Sequence, residues 1–308
     1  MTSESSVLLF FIDGLGIGTR GPQNPLDNLD ASIYLPLAVF QGEAPVSFLD
    51  GIVVPTDASL GVEGRPQSAS GQTTILTGVN APQAIGYHKQ GFPNKALLEI
   101  IESHSIFKQL RTSGVEPITF ANAYTSWFFN ERPRWISATT AAVEAAAMSF
   151  RTVADLKQGA AIFMDYSNRI LIERGEDVEE RTESEAANVL ARVTAEHRFT
   201  LYEYFITDKV GHAQDMPLAK KVLSSLALFI RELLQKVDLK RTTVILTSDH
   251  GNIEDLSSRN HTLHAVPTIV WGAQRERIAA RIQTLADITP AIVALLTEKQ
   301  STNELSTN

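Results

Sequence analysis

Three aspartates stand where apolar runs give out. Asp13 follows VLLFFI (7–12), Asp208 follows YEYFIT, and Asp249 follows VILTS. Two of them carry a histidine close by: His250 directly after Asp249, and His212 four residues after Asp208. A further histidine pair lies in HTLH (261–264), just ahead of AVPTIVWG (265–272). The chain contains no cysteine, which excludes disulfides, thiol nucleophiles, Cys-ligated zinc and Cys-held Fe–S clusters. Carboxylate and imidazole are then the ligand set left for zinc or manganese. Taken singly, each aspartate reads equally well as a turn or cap residue, and D-x-x-x-H as an i, i+4 surface pair. Their joint recurrence at strand ends is what points to metal, because ligands of open α/β sheets bind at the carboxyl ends of the strands.

A nucleophile candidate lies in RPQSASGQTTILTG (65–78), where a polar loop enters a helical stretch of small residues. Ser68 sits at that junction, where free N–H groups and the helix dipole favour a phosphate or an alkoxide. A plain N-cap is the competing reading. No G-x-S-x-G surrounds it, so a hydrolase triad of that kind is not supported. A neighbouring metal would activate the hydroxyl without a general base.

The elements that must position these residues alternate between buried strands and amphipathic helices. That alternation predicts an α/β fold, an α/β/α sandwich around a mostly parallel sheet. Strands are expected at 7–12, near 51–62, and at 115–123, 201–208, 242–249 and 265–272. Helices are expected at about 94–113, with Gly114 as the C-cap, at 138–149, at 217–236 and at 287–296. The final STNELSTN reads as a frayed tail. The stretch 124–198, with its aromatic WFFNERPRW (127–135) and charged 173–186, reads as a small cap-like insertion. Residues 1–123 and 199–308 would form the core. At 308 residues this is one large domain or two modest ones.

With 27 Lys and Arg against 35 Asp and Glu, the net charge is −8. That balance, without a basic block, argues against nucleic acid or an anionic membrane as partner. Val7–Ile12 is too short for a signal-peptide core or a spanning helix, and a cytoplasmic location is expected.

FIDGLGIG (11–18), QSASGQTTILTG (67–78), TDKVGH (207–212), TSDHGNIED (247–255), HTLHAVP (261–267) and DITPAIVALL (287–296) occur in the order of a known set of motifs. In this the chain resembles the alkaline phosphatase superfamily, and most closely its branch of cofactor-independent phosphoglycerate mutase and phosphopentomutase. The resemblance implies two divalent ions, manganese or zinc. One would be held by Asp13, Asp249, His250 and the Ser68 oxygen. The other would be held by Asp208, His212 and His261, with His264 a competitor for the last place. It further implies phosphoryl transfer through a phosphoserine at Ser68, acting on a small phosphorylated metabolite. Lys209, Asn168 and Arg169 are candidate substrate contacts.

Two departures from the mutases stand out. Gly71-Gln72 occupies the place where they commonly have Gly-His, and the 124–198 insertion is shorter and poorer in arginine than theirs. A poorly enclosed phosphoenzyme would lose its phosphoryl group to water. Hydrolysis of a phosphomonoester is therefore the expected reaction. A phosphomutase is the alternative, and a phosphodiesterase or a non-catalytic metal-binding protein stand behind it. A sulfatase is disfavoured because Ser68-Ala69-Ser70 lacks the C/S-x-P-x-R context. A dinucleotide-binding oxidoreductase is disfavoured because Thr19 follows Gly18 where a third small residue is needed.

Overall fold

The computed structural model describes residues 5–27, 29, 35–45 and 48–298. The tail at 301–308 lies outside them. Strands β1 (Ser6–Ile12), β2 (Ile52–Thr56), β3 (Ile118–Phe120), β4 (Phe199–Tyr204), β5 (Thr242–Ser248) and β6 (Val266–Trp271) form one sheet in the order β2-β6-β5-β1-β4-β3. β5, β1, β4 and β3 are mutually parallel, while β6 runs antiparallel to both its neighbours, β5 and β2. The sheet is thus mostly parallel.

The continuous apolar runs follow from burial on both faces, as central parallel strands require. Every residue of β1 and β5 is buried. Leu8, Phe10 and Ile12 enter one core cluster, and Val7, Leu9 and Phe11 the other. The helices that matter below are α1 (Ser68–Thr77), α2 (Lys95–His104), α3 (Ile106–Thr112), α4 (Ala138–Ala145), α5 (Arg169–Glu173), α6 (Glu183–Ala195), α7 (Ile206–Ala213), α8 (Met216–Lys236) and α9 (Ile288–Thr297). α6 and α8 cover the Phe10 face, while α1, α3, α4 and α9 cover the Val7 face. The arrangement is an α/β/α sandwich.

Several boundaries differ from the expectation. The helix expected over 94–113 is two helices, because Ser105 leaves helical geometry (φ −48°, ψ 131°) and turns its hydroxyl to Ala142 O at 2.7 Å. The strand expected over 201–208 stops at Tyr204, and Asp208 lies in the first turn of α7. Phe205 and Ile206 extend the apolar run past the strand's end, so hydrophobicity alone does not mark the change. Within 124–198, α4 and α6 supply buried residues to the two main clusters, whereas Ala123, Leu156, Ala161, Phe163 and Leu171 form a small cluster of their own.

Candidate metal centre

The carboxyl ends of β1 and β5 deliver Asp13 and Asp249-His250, and α7 carries Asp208 and His212 one turn apart on one face. The loop before β6 brings in His261. Two histidine nitrogens organise the cluster. His250 Nε2 lies 3.0 Å from the Ser68 hydroxyl, 3.3 Å from Asp13 Oδ1 and 3.5 Å from Asp249 Oδ2. His261 Nε2 lies 3.3 Å from His212 Nε2 and 3.5 Å from Asp208 Oδ1, while Asp208 Oδ2 lies 3.3 Å from His212 Nε2. The His250 and His261 rings stack with centroids 3.6 Å apart, joining the two halves. Ligand atoms of Asp208, His212 and His261 all fall within 4.8 Å of one another, and so do those of Asp13, Asp208 and His250. Asp208 therefore reaches both halves, where the resemblance places it in one.

The donor chemistry fits a cation. In each of the three histidines Nδ1 faces a backbone carbonyl: Gly251 O at 3.4 Å, Pro66 O at 2.9 Å and Arg259 O at 2.7 Å for His250, His261 and His212. A proton on Nδ1 leaves Nε2 as a lone pair aimed into the cluster, the arrangement of metal-ligating imidazoles. The two Nε2 atoms of His212 and His261 then face each other as acceptors, which a shared cation would satisfy. Asp13 Oδ1 is buried without a hydrogen-bond donor. Burial and the neighbouring Asp208 push the Asp13 carboxyl well above its ordinary value, and burial above all raises that of Asp249 to about 8. Burial also opposes the charge on Asp208, but His261, His250, Asn252 and His212 together hold its carboxyl below the ordinary range. Asp13 and Asp249 resist ionisation for want of positive charge, which divalent ions would supply.

The backbone is shaped around these groups. Gly14 takes φ +73°, and a Cβ there would lie 2.8 Å from Asp208 Oδ1. At Gly16 a Cβ would lie 2.2 Å from Glu254 Oε1. Gln72, at the position where the motif departs, donates from Nε2 to Asp249 Oδ2 at 3.2 Å.

Three further residues carry weight that sequence inspection passed over. Asn252, inside TSDHGNIED, donates to Asp208 Oδ1 at 2.6 Å. Glu254, in the same motif, is fully buried and collects donors from three loops. Glu203, the next-to-last residue of β4 with no motif around it, is buried near Asp13 and accepts from the Thr139 hydroxyl. Burial first, and Asp13 after it, raise the Glu203 carboxyl to about 8 against the pull of Thr139. Because this folded value exceeds the ordinary 4.5, the protonated form is favoured in the fold. Its stabilisation is complete below about pH 4.5 and is lost as pH rises through about 8. Glu203→Gln is accordingly expected to flatten the fall in stability between those limits, read as Tm across a pH series.

The substrate-contact candidates have partners or surroundings of their own. Asn168 is buried and donates its amide to Glu179 O at 2.8 Å, and Arg169 pairs with Glu180 at 2.5 Å. Lys209 is exposed on α7, and it and Arg169 border one cleft. Two other cations touch the cluster's own loops: Arg65 donates to His261 O at 2.7 Å, and Arg259 to His212 O at 3.3 Å. Their signal in sequence was adjacency, Arg65 standing three residues before Ser68 and Arg259 two before His261. His264 does not compete for the metal position; its Nδ1 meets Glu254 Oε1 at 3.0 Å.

An open α/β sheet with Asp and His gathered at its carboxyl edge is the frame a metalloenzyme would use, and the comparisons agree. The family model described as metalloenzyme superfamily matches residues 130–300, and the chain belongs to that superfamily. Among curated relatives, the 2,3-bisphosphoglycerate-independent phosphoglycerate mutase of Ehrlichia ruminantium (strain Gardel) is 27% identical over 107 residues, 32% of this chain and 21% of that one. The corresponding mutase of Wolbachia pipientis wMel is 30% identical over 116 residues, 36% of this chain and 23% of that one. The matched segments thus span less than a quarter of those relatives. Among solved structures, the PH0037 protein from Pyrococcus horikoshii superposes with a TM-score of 0.54 at 14% identity, over 96% of this chain and 99% of that one. A TAB5 alkaline phosphatase mutant with Mg bound gives 0.51 at 12%, over 97% and 99%. Among the described residues no helix is long and apolar enough to cross a membrane.

Proposed function

We propose that the chain is a phosphoryl-transfer enzyme that hydrolyses a small phosphomonoester through a phosphoserine at Ser68. The observation that carries this is the 3.0 Å approach of the Ser68 hydroxyl to His250 Nε2 within the Asp/His cluster. Asp13, Asp249, His250 and Ser68 would hold one divalent ion, and Asp208, His212 and His261 a second, manganese or zinc. Such ions, when bound, supply the charge that lowers the serine pKa and steadies the leaving oxygen.

Everything else falls to the chain's own groups. Ser68 is the first residue of α1, so its N–H and that of Ala69 have no acceptor in the helix, and among the described residues no other acceptor meets them. They are free for phosphate oxygens. Arg65 and Arg259 keep guanidinium N–H groups for the same anion beyond the one each gives to a carbonyl. Ser68 Oγ bonds to phosphorus as the ester P–O bond breaks, the hydroxyl proton is lost, and the departing alkoxide takes a proton from water. Water then adds to phosphorus, the P–Oγ bond breaks, and phosphate leaves as Ser68 regains its proton.

Hydrolysis is favoured over transfer to a second hydroxyl because the 124–198 arginines are partly committed. Arg132 pairs with Glu144 and Arg169 with Glu180, which leaves a poor set for enclosing a phosphoenzyme. The likeness to phosphoglycerate mutases favours the second reading, a phosphomutase. Metal analysis paired with an assay on generic phosphomonoesters decides: released phosphate supports hydrolysis, isomerised substrate without release supports the mutase, and a metal-free, inactive protein sinks both. Arg65→Ala is expected to raise KM about tenfold with a smaller change in kcat, as loss of a charge-assisted contact would. Steady-state kinetics on the same ester would show it, and an unchanged KM would remove Arg65 from the site.

A further inference from the structure

A cleft of about 560 Å³ lies on the side of α7 away from the metal cluster. Ile206, Lys209 and Val210 line it from α7, and Leu218, Lys221, Val222 and Ser225 from α8. Both sets follow i, i+3, i+4 spacing, so each is one helix face. At about 100° per residue, Ile206 and Val210 stand about 160° around α7 from Asp208. Neither Asp208 nor His212 lines the cleft, although Lys209, which does, stands only about 60° around α7 from His212. Its volume falls in the range of small-molecule sites, roughly 300–1,000 Å³.

The polar groups around it are unevenly occupied. Asp165 accepts from Asn168 N at 3.1 Å and Ile170 N at 3.0 Å, Glu180 is paired with Arg169, and Glu183 accepts from the Ser225 hydroxyl. Arg181 donates to Leu156 O at 2.6 Å. Lys209 and Lys221, by contrast, have no ion-pair or hydrogen-bond partner among the described residues, and Glu173 is the one lining carboxylate left in the same state. Tyr204 is 3% exposed, its ring 5.8 Å from that of Tyr166 and nearly parallel to it, and its hydroxyl meets no protein partner. What remains is two unpaired ammonium groups, one unpaired carboxylate at Glu173 and the Tyr204 hydroxyl around an apolar wall of Ile206, Val210, Leu218 and Val222.

We infer that this cleft is a second ligand site, for a small organic anion, a carboxylate or phosphate whose charge lies at Lys209 and Lys221 and whose apolar body lies on that wall. The probes are 4-fluorophenylphosphonate and 4-fluorobenzoate, followed by ¹⁹F NMR titration of the metal-loaded protein and of the same protein after chelation. The phosphonate is expected to bind in two events when metal is present and in one after chelation, and the surviving event is the cleft. Lys221→Glu, at an exposed position, should weaken the surviving event at least tenfold and leave ester turnover unchanged. Val222→Trp, which fills the cleft, should abolish it. Absence of chelation-resistant binding by either probe overturns the inference, as does such binding that neither substitution alters. The metal-dependent event reports on the Ser68 centre alone, so the two readings fail separately.

Discussion

Ser68→Ala is expected to lower phosphomonoester turnover at least about a thousandfold, ~4 kcal/mol in transition-state stabilisation, while the protein still binds its divalent ions. The serine is one of several groups about His250 Nε2; Asp13 and Asp249 remain at 3.3 and 3.5 Å. Metal content should therefore fall little, whereas the hydroxyl proposed to form the phosphoenzyme is gone. Single-turnover assays with a labelled ester would trap the phosphoryl group on wild type and not on the variant. Full activity in Ser68→Ala would end the covalent mechanism. Loss of activity together with loss of metal would make Ser68 chiefly a ligand.

The second large effect is expected at Glu254, which lies outside the Asp/His cluster itself. Its Oε2 accepts from Gly16 N at 2.9 Å and Asn252 N at 2.7 Å, and its Oε1 faces the Thr262 hydroxyl at 2.5 Å and His264 Nδ1 at 3.0 Å. Burial opposes the charge, yet His264, Thr262 and the backbone donors hold the carboxyl below its ordinary value. The folded value is the lower one, so this stabilisation is present above the ordinary carboxylate range and is lost as pH falls through the folded value. Glu254→Ala leaves several buried donors unpaired at about 1–3 kcal/mol each. A loss of about 3–5 kcal/mol follows, a fall in Tm on the order of 10 °C. Because the residue ties together the segments bearing Asp13, His250 and His261, metal affinity should fall with it. Glu254→Gln should recover part of the stability. A variant with unchanged Tm and metal content would make Glu254 incidental.

Much of the frame was legible because local pattern and fold agree. VLLFFI is buried on both faces and reads as such, and the DKVGH spacing puts Asp208 and His212 on one helical face. What local pattern could not carry was partnership across the chain. Asn252 acts on Asp208, 44 residues away, and Glu254 on Gly16, 238 away. Arg169 looked free in sequence because Glu180, eleven residues on, is brought beside it only by the turn of the chain after α5. Glu203 had no motif at all, and its role follows solely from burial near Asp13.

The contact between His261 and the serine loop has a consequence for how such a site changes over evolution. His261 Nδ1 meets Pro66 O at 2.9 Å, and Arg65 returns the contact to His261 O at 2.7 Å. The loop that presents Ser68 and the loop that presents His261 are thus stitched to one another in both directions. With Ser68 as the proposed nucleophile and His261 as a proposed metal ligand, a substitution that shifts one loop would carry the other with it. Metal choice and substrate choice would then be inherited together, a change in either needing compensation in the other loop.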